Sequence, residues 1–163
     1  MKKLGLLLLL FSILCSCKKS LKDKIIAKFD EKCKGDSVCK IDLKELADFK
    51  WDKFYLFQDG VGLETINKEL GFHYPYFEDM ATRIIFTLGD RVAYHEDEFP
   101  DISDTFIPGL IFNIYKIDTP YWSCDSKNAV FRVKKKNDEG FIYYELTLIK
   151  EQEKGELTPF VYR

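Results

Sequence analysis

The sequence has few of the residues and motifs from which catalytic and metal sites are usually recognised. It contains 2 histidines and 5 cysteines, and no two cysteines have the Cys-x-x-Cys spacing of a zinc site. A Gly-x-Ser-x-Gly run, which would expose a nucleophilic serine in a hydrolase, is also missing. We therefore expect no catalytic residues, no metal and no cofactor, and we predict that the protein is not an enzyme.

The densest acidic cluster of the chain is the one candidate for a metal site. Residues 95–98 read His-Glu-Asp-Glu, and carboxylates that converge can hold a divalent cation. Along a strand, however, His95 and Asp97 would share one face while Glu96 and Glu98 point the other way. The spacing also differs from that of an EF-hand loop, so we favour a solvated loop here.

The chain has no basic stripe either. Its 25 Lys and Arg residues are outnumbered by 27 Asp and Glu residues, for a net charge of −2. Proteins that bind nucleic acid present a clustered basic surface, so we predict that nucleic acid is not a partner.

The long apolar run of the chain lies at its N-terminus and is too short for a permanent membrane span. Leu4 to Leu14 are almost all leucine, with Lys2 and Lys3 before them and Lys18 and Lys19 after them. A transmembrane helix needs about 20 apolar residues. A short apolar stretch after a positive N-terminus instead predicts a signal peptide.

The end of this run identifies the cleavage site. Cleavage before Cys17 leaves the small Ser16 as the last signal residue, whereas cleavage before Cys15 would leave the bulky Leu14 there. The run Leu14-Cys15-Ser16-Cys17 resembles the lipobox of bacterial lipoproteins. In that class the cysteine thiol takes a diacylglycerol, the signal peptide is removed and the new amino group is often acylated, for example with palmitate.

The lipobox resemblance implies a lipid anchor on Cys17 and a location on a membrane outside the cytoplasm. Lys18 follows the cysteine where an Asp signals inner-membrane retention in some Gram-negative bacteria. This favours the outer membrane, facing the periplasm, if the organism has one. The alternative is an ordinary cleaved signal peptide with an incidental cysteine.

Three cysteines remain after lipidation. Cys33 and Cys39 enclose a short, turn-like loop with Gly35 and Asp36, and in an oxidising compartment we predict that they form a disulfide. Cys124 is then either a buried thiol or the true partner of one of the other two.

Hydrophobic periodicity predicts an α+β fold. Leu21, Ile25 and Phe29 recur at helical spacing, and residues 63–70 form a second amphipathic segment that Gly71 would end. Alternating apolar stretches predict about seven strands, with hairpins over 82–97 and around 137–140. The strands are expected at 39–46, 51–58, 82–88, 91–97, 109–117, 129–136 and 141–150. We expect one mostly antiparallel, twisted sheet with two short helices packed on one face.

The predicted organisation has three parts. Residues 1–16 are the signal peptide, residues 17–24 are the lipidated cysteine and a short tether, and residues 25–163 are one α+β domain.

Aromatic residues are abundant, with 14 Phe, 9 Tyr and 2 Trp. We attribute most of them to a β-rich core. Tyr and Trp are also enriched at interfaces, so a binding surface is the alternative. The candidate residues for that surface are Trp51, His73, Tyr74, Tyr76, His95 and Trp122.

One local string resembles a motif of small uncharacterised bacterial lipoproteins. Phe49-Lys50-Trp51-Asp52 leads into the aromatic run Tyr55-Leu56-Phe57, and a short helix then closes in Leu70-Gly71. The resemblance covers about residues 40–95. It implies a related fold and membrane attachment, and no activity.

These observations predict a membrane-anchored binding or structural module, which could have a protein partner in the cell envelope. The alternative is a periplasmic immunity or inhibitor protein against a toxin or hydrolase, because an acidic face steers toward a basic partner. An enzyme is the least favoured interpretation.

Overall fold

The structure is a computed structural model, and it describes residues 19–33, 38–99, 109–113, 120–138 and 140–149. The predicted signal peptide, Cys17 and residues 150–163 lie outside the described residues. The helices are α1 (Leu21–Cys33) and α2 (Leu63–Leu70), with a short 3-10 turn at Leu43–Glu45. The strands are β1 (Val38–Asp42), β2 (Lys53–Phe57), β3 (Thr82–Leu88), β4 (Arg91–Glu98), β5 (Leu110–Asn113), β6 (Tyr121–Asp125), β7 (Val130–Asp138) and β8 (Phe141–Leu148).

The predicted α+β fold class is confirmed, but the strands form two sheets rather than one. The first sheet has the order β1-β7-β8-β5, and the second has the order β4-β3-β2-β6. Within the described residues, β5 and β8 are the parallel pair, and the other paired strands are antiparallel. The eight described strands include seven near the predicted positions, and β6 is the additional one.

Strand β6 was not predicted because its sequence has no clear alternation of apolar and polar residues. It reads Tyr-Trp-Ser-Cys-Asp and pairs with β2, so that Lys53 lies opposite Asp125. Its pairing partner lies far away in the sequence, and only the tertiary fold makes this stretch a strand.

The main core lies between the two sheets and is largely aromatic. The Phe54 ring contacts Phe86 at 5.0 Å, Phe112 at 5.9 Å, Trp122 at 5.8 Å and Phe131 at 6.5 Å between centroids. These rings come from both sheets, so that most of the aromatic content is used for packing, as the sequence predicts.

Helix α1 packs into this main core and begins at Leu21, the first residue of the predicted helical spacing. Leu21, Ile25 and Phe29 are buried on one face of the helix. Leu21 therefore belongs to the folded domain, although the sequence placed residues 17–24 in a tether. The lysines on the helix surface pair with nearby acids, for example Lys24 with Asp48 at 3.0 Å.

The predicted disulfide between Cys33 and Cys39 is confirmed. It joins the end of α1 to β1 with a Cα–Cα distance of 5.8 Å, which lies in the usual range. Cys124 is not part of this disulfide and is half-buried. In the described part of the chain, no helix is long and apolar enough to cross a membrane.

Helix α2 covers the opposite face of the second sheet, so the two helices do not share one face as predicted. Ile66 and Leu70 of α2 pack against Tyr55, Phe57 and Ile85 in a second, smaller core. The reason is that β2 is apolar on both faces, and each face needs its own cover.

Gly71 ends α2, as the sequence predicts. Its φ of 79° lies in the left-handed region that glycine favours, and its amide donates a 2.9 Å hydrogen bond to the Asn67 carbonyl.

Asp52 holds the tight turn between β3 and β4. Its carboxylate accepts hydrogen bonds from the Gly89 amide at 2.7 Å and from the Thr87 hydroxyl at 3.2 Å. Gly89 has a φ of 60°, which fits the predicted turn with glycine first. The register of β3 and β4 shifts between Phe86 and Thr87, next to this turn, as at a β-bulge.

We expect the Asp52→Ala variant to unfold more easily, because the buried Thr87 hydroxyl and the Gly89 amide lose their acceptor. The free energy of unfolding should fall by about 1 kcal/mol in urea denaturation. The control is Asp59→Ala, an exposed turn residue, which should change it by less than about 0.5 kcal/mol. Equal losses in the two variants would contradict this role of Asp52.

Candidate binding surface

A loop between α2 and β3 folds over the outer face of the second sheet. Tyr74 lies in this loop and is fully buried, and its backbone amide donates a 2.7 Å hydrogen bond to the side-chain oxygen of Asn67. Since Asn67 belongs to α2, the helix positions the loop against the sheet. Tyr76 follows two residues later and is 48% exposed.

Three of the predicted surface residues meet at this loop. The Tyr76 ring stacks on the His95 ring of β4, with centroids 4.1 Å apart and planes 10° from parallel. The Tyr74 ring meets His95 edge-on at 6.1 Å and Tyr76 at 5.8 Å. The exposed Tyr76 therefore forms the outer layer of an ordered aromatic stack.

A buried ion pair lies beneath the stack. The Arg83 Nη2 atom is 2.7 Å from the Asp97 Oδ2 atom, and the Arg83 Nε atom is 3.1 Å from Asp97 Oδ1. The Arg83 side chain is 1% exposed and that of Asp97 is 12% exposed. The guanidinium also lies over the rings of Phe77 at 4.9 Å and Tyr74 at 5.4 Å. We call Tyr74, Tyr76, Arg83, His95 and Asp97 the histidine cluster.

Arg83 was not predicted as a site residue. The signal was present in its position in β3, two residues before the buried Ile85 and therefore on the same face of the strand. Its partner is Asp97, which lies directly opposite Arg83 in the pairing of β3 with β4. That pairing register could have suggested the ion pair, because both residues point to the outer face of the sheet.

Two buried polar atoms of the histidine cluster have no hydrogen-bond partner within the described part of the chain. They are the hydroxyl oxygen of Tyr74 and the Nδ1 atom of His95. Burial raises the pKa of Tyr74 far above its usual value, and the charge of Asp97 adds to the increase while that of Arg83 opposes it.

The other predicted surface residues lie elsewhere. Trp51 is buried in the main core and packs edge-on against Phe86 at 4.9 Å, so it is not part of an exposed surface. Trp122 is half-buried on the edge strand β6. His73 is exposed on the same loop as Tyr74.

The acidic stretch 95–98 is the end of strand β4 rather than the solvated loop favoured above. His95 and Asp97 face outward into the histidine cluster, whereas Glu96 points inward to α1, as expected for a strand. Among the residues that the structure describes, no group of three or more His, Cys, Asp or Glu side chains could hold a metal ion.

The Glu96 carboxylate connects β4 to the beginning of α1. Its Oε2 atom accepts hydrogen bonds from the Leu21 amide and from the Tyr94 hydroxyl, each at 2.7 Å. A carboxylate at a helix N-terminus also interacts favourably with the helix dipole. Burial and this bond to Glu96 raise the pKa of Tyr94 well above its usual value.

A small cavity of about 110 Å³ lies beside this contact. Its lining includes Lys22 of α1, Glu98 of β4 and Leu110 of β5. Burial raises the pKa of Glu98 above its usual 4.5, and the charge of Glu96 adds to the increase while Lys22 opposes it.

A more open cavity of about 350 Å³ lies at the other end of the sheets. Its lining includes Lys53, Trp122, Cys124 and Leu148. Cys124 and Trp122 both line this cavity, but neither His73 nor His95 does. The cavity therefore does not place a histidine beside the Cys124 thiol, as a thiol nucleophile activated by a histidine base would need.

We expect the Asp97→Asn variant to be strongly destabilised, because Arg83 would keep a buried charge without its carboxylate. The loss in unfolding free energy should be about 3 kcal/mol. The control is Glu145→Gln, which weakens the partly exposed pair with Lys136 at 3.6 Å and should cost less than about 1 kcal/mol. Urea denaturation measures the unfolding free energy of both variants. Equal losses would contradict a larger contribution of the buried Arg83–Asp97 pair to stability.

The chain was compared with protein families, with curated proteins and with solved structures. No family model, no curated protein and no solved structure matches it.

Proposed function

We propose that the protein is a bacterial lipoprotein that acts as a membrane-anchored binding module on the extracytoplasmic side of the envelope. The observation that carries this proposal is the run Leu14-Cys15-Ser16-Cys17 at the end of a signal-type segment. The role that we assign is recognition rather than catalysis.

Two further features support an exported, anchored protein. The disulfide between Cys33 and Cys39 is typical of oxidising compartments outside the cytoplasm. Helix α1 begins at Leu21, so only three residues separate Cys17 from the folded domain. We propose that a lipid on Cys17 would hold the domain close to the membrane surface.

The histidine cluster supports a binding role. Its outer residue, Tyr76, presents an exposed ring on a rigid stack, and aromatic anchors of this kind dominate binding energy at protein interfaces. The ring would lose little conformational freedom on binding, because His95 already orients it. We propose that a protein partner in the envelope binds over Tyr76.

The proposed resemblance to small lipoproteins with a Phe-x-Trp-Asp string is consistent with this role. In this chain Trp51 packs in the core and Asp52 accepts a hydrogen bond from the β3–β4 turn, so both residues of the motif have structural roles. The motif therefore supports a shared fold, and binding is assigned to the histidine cluster.

We expect the Cys17→Ala variant to leave the membrane, because the protein loses the thiol that carries the lipid. Its mass should show an unmodified chain that retains residues 1–16 or is cleaved elsewhere. Membrane fractionation and intact-protein mass spectrometry measure these outcomes.

The matched control is Cys15→Ser, which alters the neighbouring cysteine of the same run and should leave fractionation and mature mass unchanged. Unchanged fractionation and mass in Cys17→Ala would show that the protein is not a lipoprotein.

We expect the Tyr76→Ala variant to recover less of its partner in affinity capture from solubilised membranes. The wild-type lipidated protein should enrich a reproducible partner, and recovery should fall about tenfold when the exposed ring is removed. The control is Met80→Ala, a substitution at another exposed residue of the same loop, which should leave recovery unchanged.

A wild-type protein that captures no reproducible partner would contradict the binding role. A captured toxin or hydrolase would instead identify the protein as an immunity or inhibitor protein.

A further inference from the structure

The beginning of α1 fixes where an anchor on Cys17 would meet the domain. The Leu21 amide is bonded to Glu96 of β4, and the Ser20 hydroxyl accepts a 3.0 Å hydrogen bond from the Asp23 amide. The four residue steps from Cys17 to Leu21 span at most about 14 Å when extended. The surface around Leu21 would therefore lie next to the membrane.

Strand ends from both sheets lie at this same end of the molecule. The Gly109 backbone is in direct contact with the Lys22 side chain, and the Gly109 carbonyl accepts a 3.1 Å hydrogen bond from the Tyr144 amide. Strand β8 begins three residues before Tyr144, so its first residues project beyond this contact. Strand β4 ends at Glu98, which lines the small cavity together with Lys22.

These strand ends carry large apolar side chains that are exposed to solvent. Phe99, directly after β4, is 48% exposed, and Phe141 and Ile142, at the start of β8, are 46% and 53% exposed. We call these three residues the anchor-side patch.

The opposite end of the molecule is polar by comparison. The β3–β4 turn and the turn after β6 present Asp90, Arg91, Asp125 and Lys127, all exposed. Among the described residues, the other large apolar side chains that are exposed are Val38, Tyr76 and Met80, so the patch holds three of six. Scattered exposed apolar side chains are normal, but three at strand ends on one side of the domain form a candidate contact surface.

We propose that the anchor-side patch inserts into the headgroup region of the bilayer and forms a second membrane attachment beside the lipid on Cys17. This inference rests on the proposed lipoprotein function. Bilayers accept apolar side chains such as Phe at the boundary between headgroups and acyl chains, and binding there strengthens with the apolar area that is buried. The patch would also fix which side of the domain faces the membrane.

The charges around the patch indicate that burial of apolar surface, not electrostatic attraction, drives the contact. Lys134 and Lys135 are exposed on β7, but Asp138 is exposed at its end and Lys136 is paired with Glu145 at 3.6 Å. A polybasic segment that binds anionic lipid would lack such acids. Insertion of the patch itself should therefore occur in vesicles without anionic lipid, while Lys19 and Lys22 beside the anchor would add attraction to anionic lipid.

Tryptophan quenching in vesicles tests the orientation. Purified lipidated protein carrying Phe141→Trp is reconstituted into phosphatidylethanolamine–phosphatidylcholine vesicles whose acyl chains are brominated near the headgroup. The introduced tryptophan should lose about half of its fluorescence, since interfacial insertion reaches about 5–10 Å into that region. The unmodified protein supplies the baseline from Trp51 and Trp122.

The matched control is Arg91→Trp, at the other end of β4. Seven residue steps separate Arg91 from Glu98, or about 23 Å along a strand. The tryptophan introduced there should not be quenched.

Failure of the inference is distinct from failure of the proposed function. Protein that does not float with the vesicles lacks the anchor, so the proposed function and this inference fail together. If the protein floats but the tryptophan at position 141 is not quenched, the anchor is intact and the inference is overturned. A blue-shifted, unquenched tryptophan there would mean that protein, such as a second copy of this chain, covers the patch.

A second variant tests the energetic contribution. Phe141→Asp/Ile142→Asp should transfer between vesicles about tenfold faster than the unmodified protein, because two apolar side chains no longer insert. Arg91→Asp should transfer at the unmodified rate. Equal rates in all three proteins would overturn the second attachment.

Discussion

The structure depends on one strand that is apolar on both faces. β2 directs Phe54 and Leu56 into the main core between the sheets, and it directs Tyr55 and Phe57 toward α2. A strand of this kind cannot face water on either side, so it must lie in the middle of a layered structure. The first sheet and α1 cover its inner face, and α2 with the following loop covers its outer face. The loop that carries Tyr74 and Tyr76 lies over the sheet for this reason.

Strand β4 also has two distinct faces. Alternation along this strand sends His95 and Asp97 outward, where they meet the loop and Arg83, and it sends Tyr94 and Glu96 inward to α1. The outward residues build a candidate site for a protein partner. The inward residues hold the part of the chain that lies nearest to Cys17. One strand thereby links the proposed anchor to the proposed binding surface.

Local features of the fold were predictable because they depend on neighbouring residues. The spacing of Leu63, Ile66 and Leu70 with Gly71 after them predicted α2, and Gly89-Asp90 predicted the β3–β4 turn. The disulfide followed from a short loop between two cysteines. Strand β6 and the division into two sheets could not be predicted in this way, because they depend on which distant strands pair. Of the candidate site, Tyr74, Tyr76 and His95 were named from the sequence, whereas Arg83 was not.

The sequence by itself determined the proposed export signal, the helix and hairpin positions, and the choice of Cys17 as the candidate lipid site, since each depends on a short run of side chains. Only the tertiary structure decided that Trp51 is a core residue, that Tyr76 stacks on His95, and that Leu21 is held by Glu96. These outcomes join residues that are distant in sequence, and their burial depends on how the two sheets close around the aromatic core. The anchor-side patch arises likewise, because separate strand ends reach one end of the domain only in the folded chain.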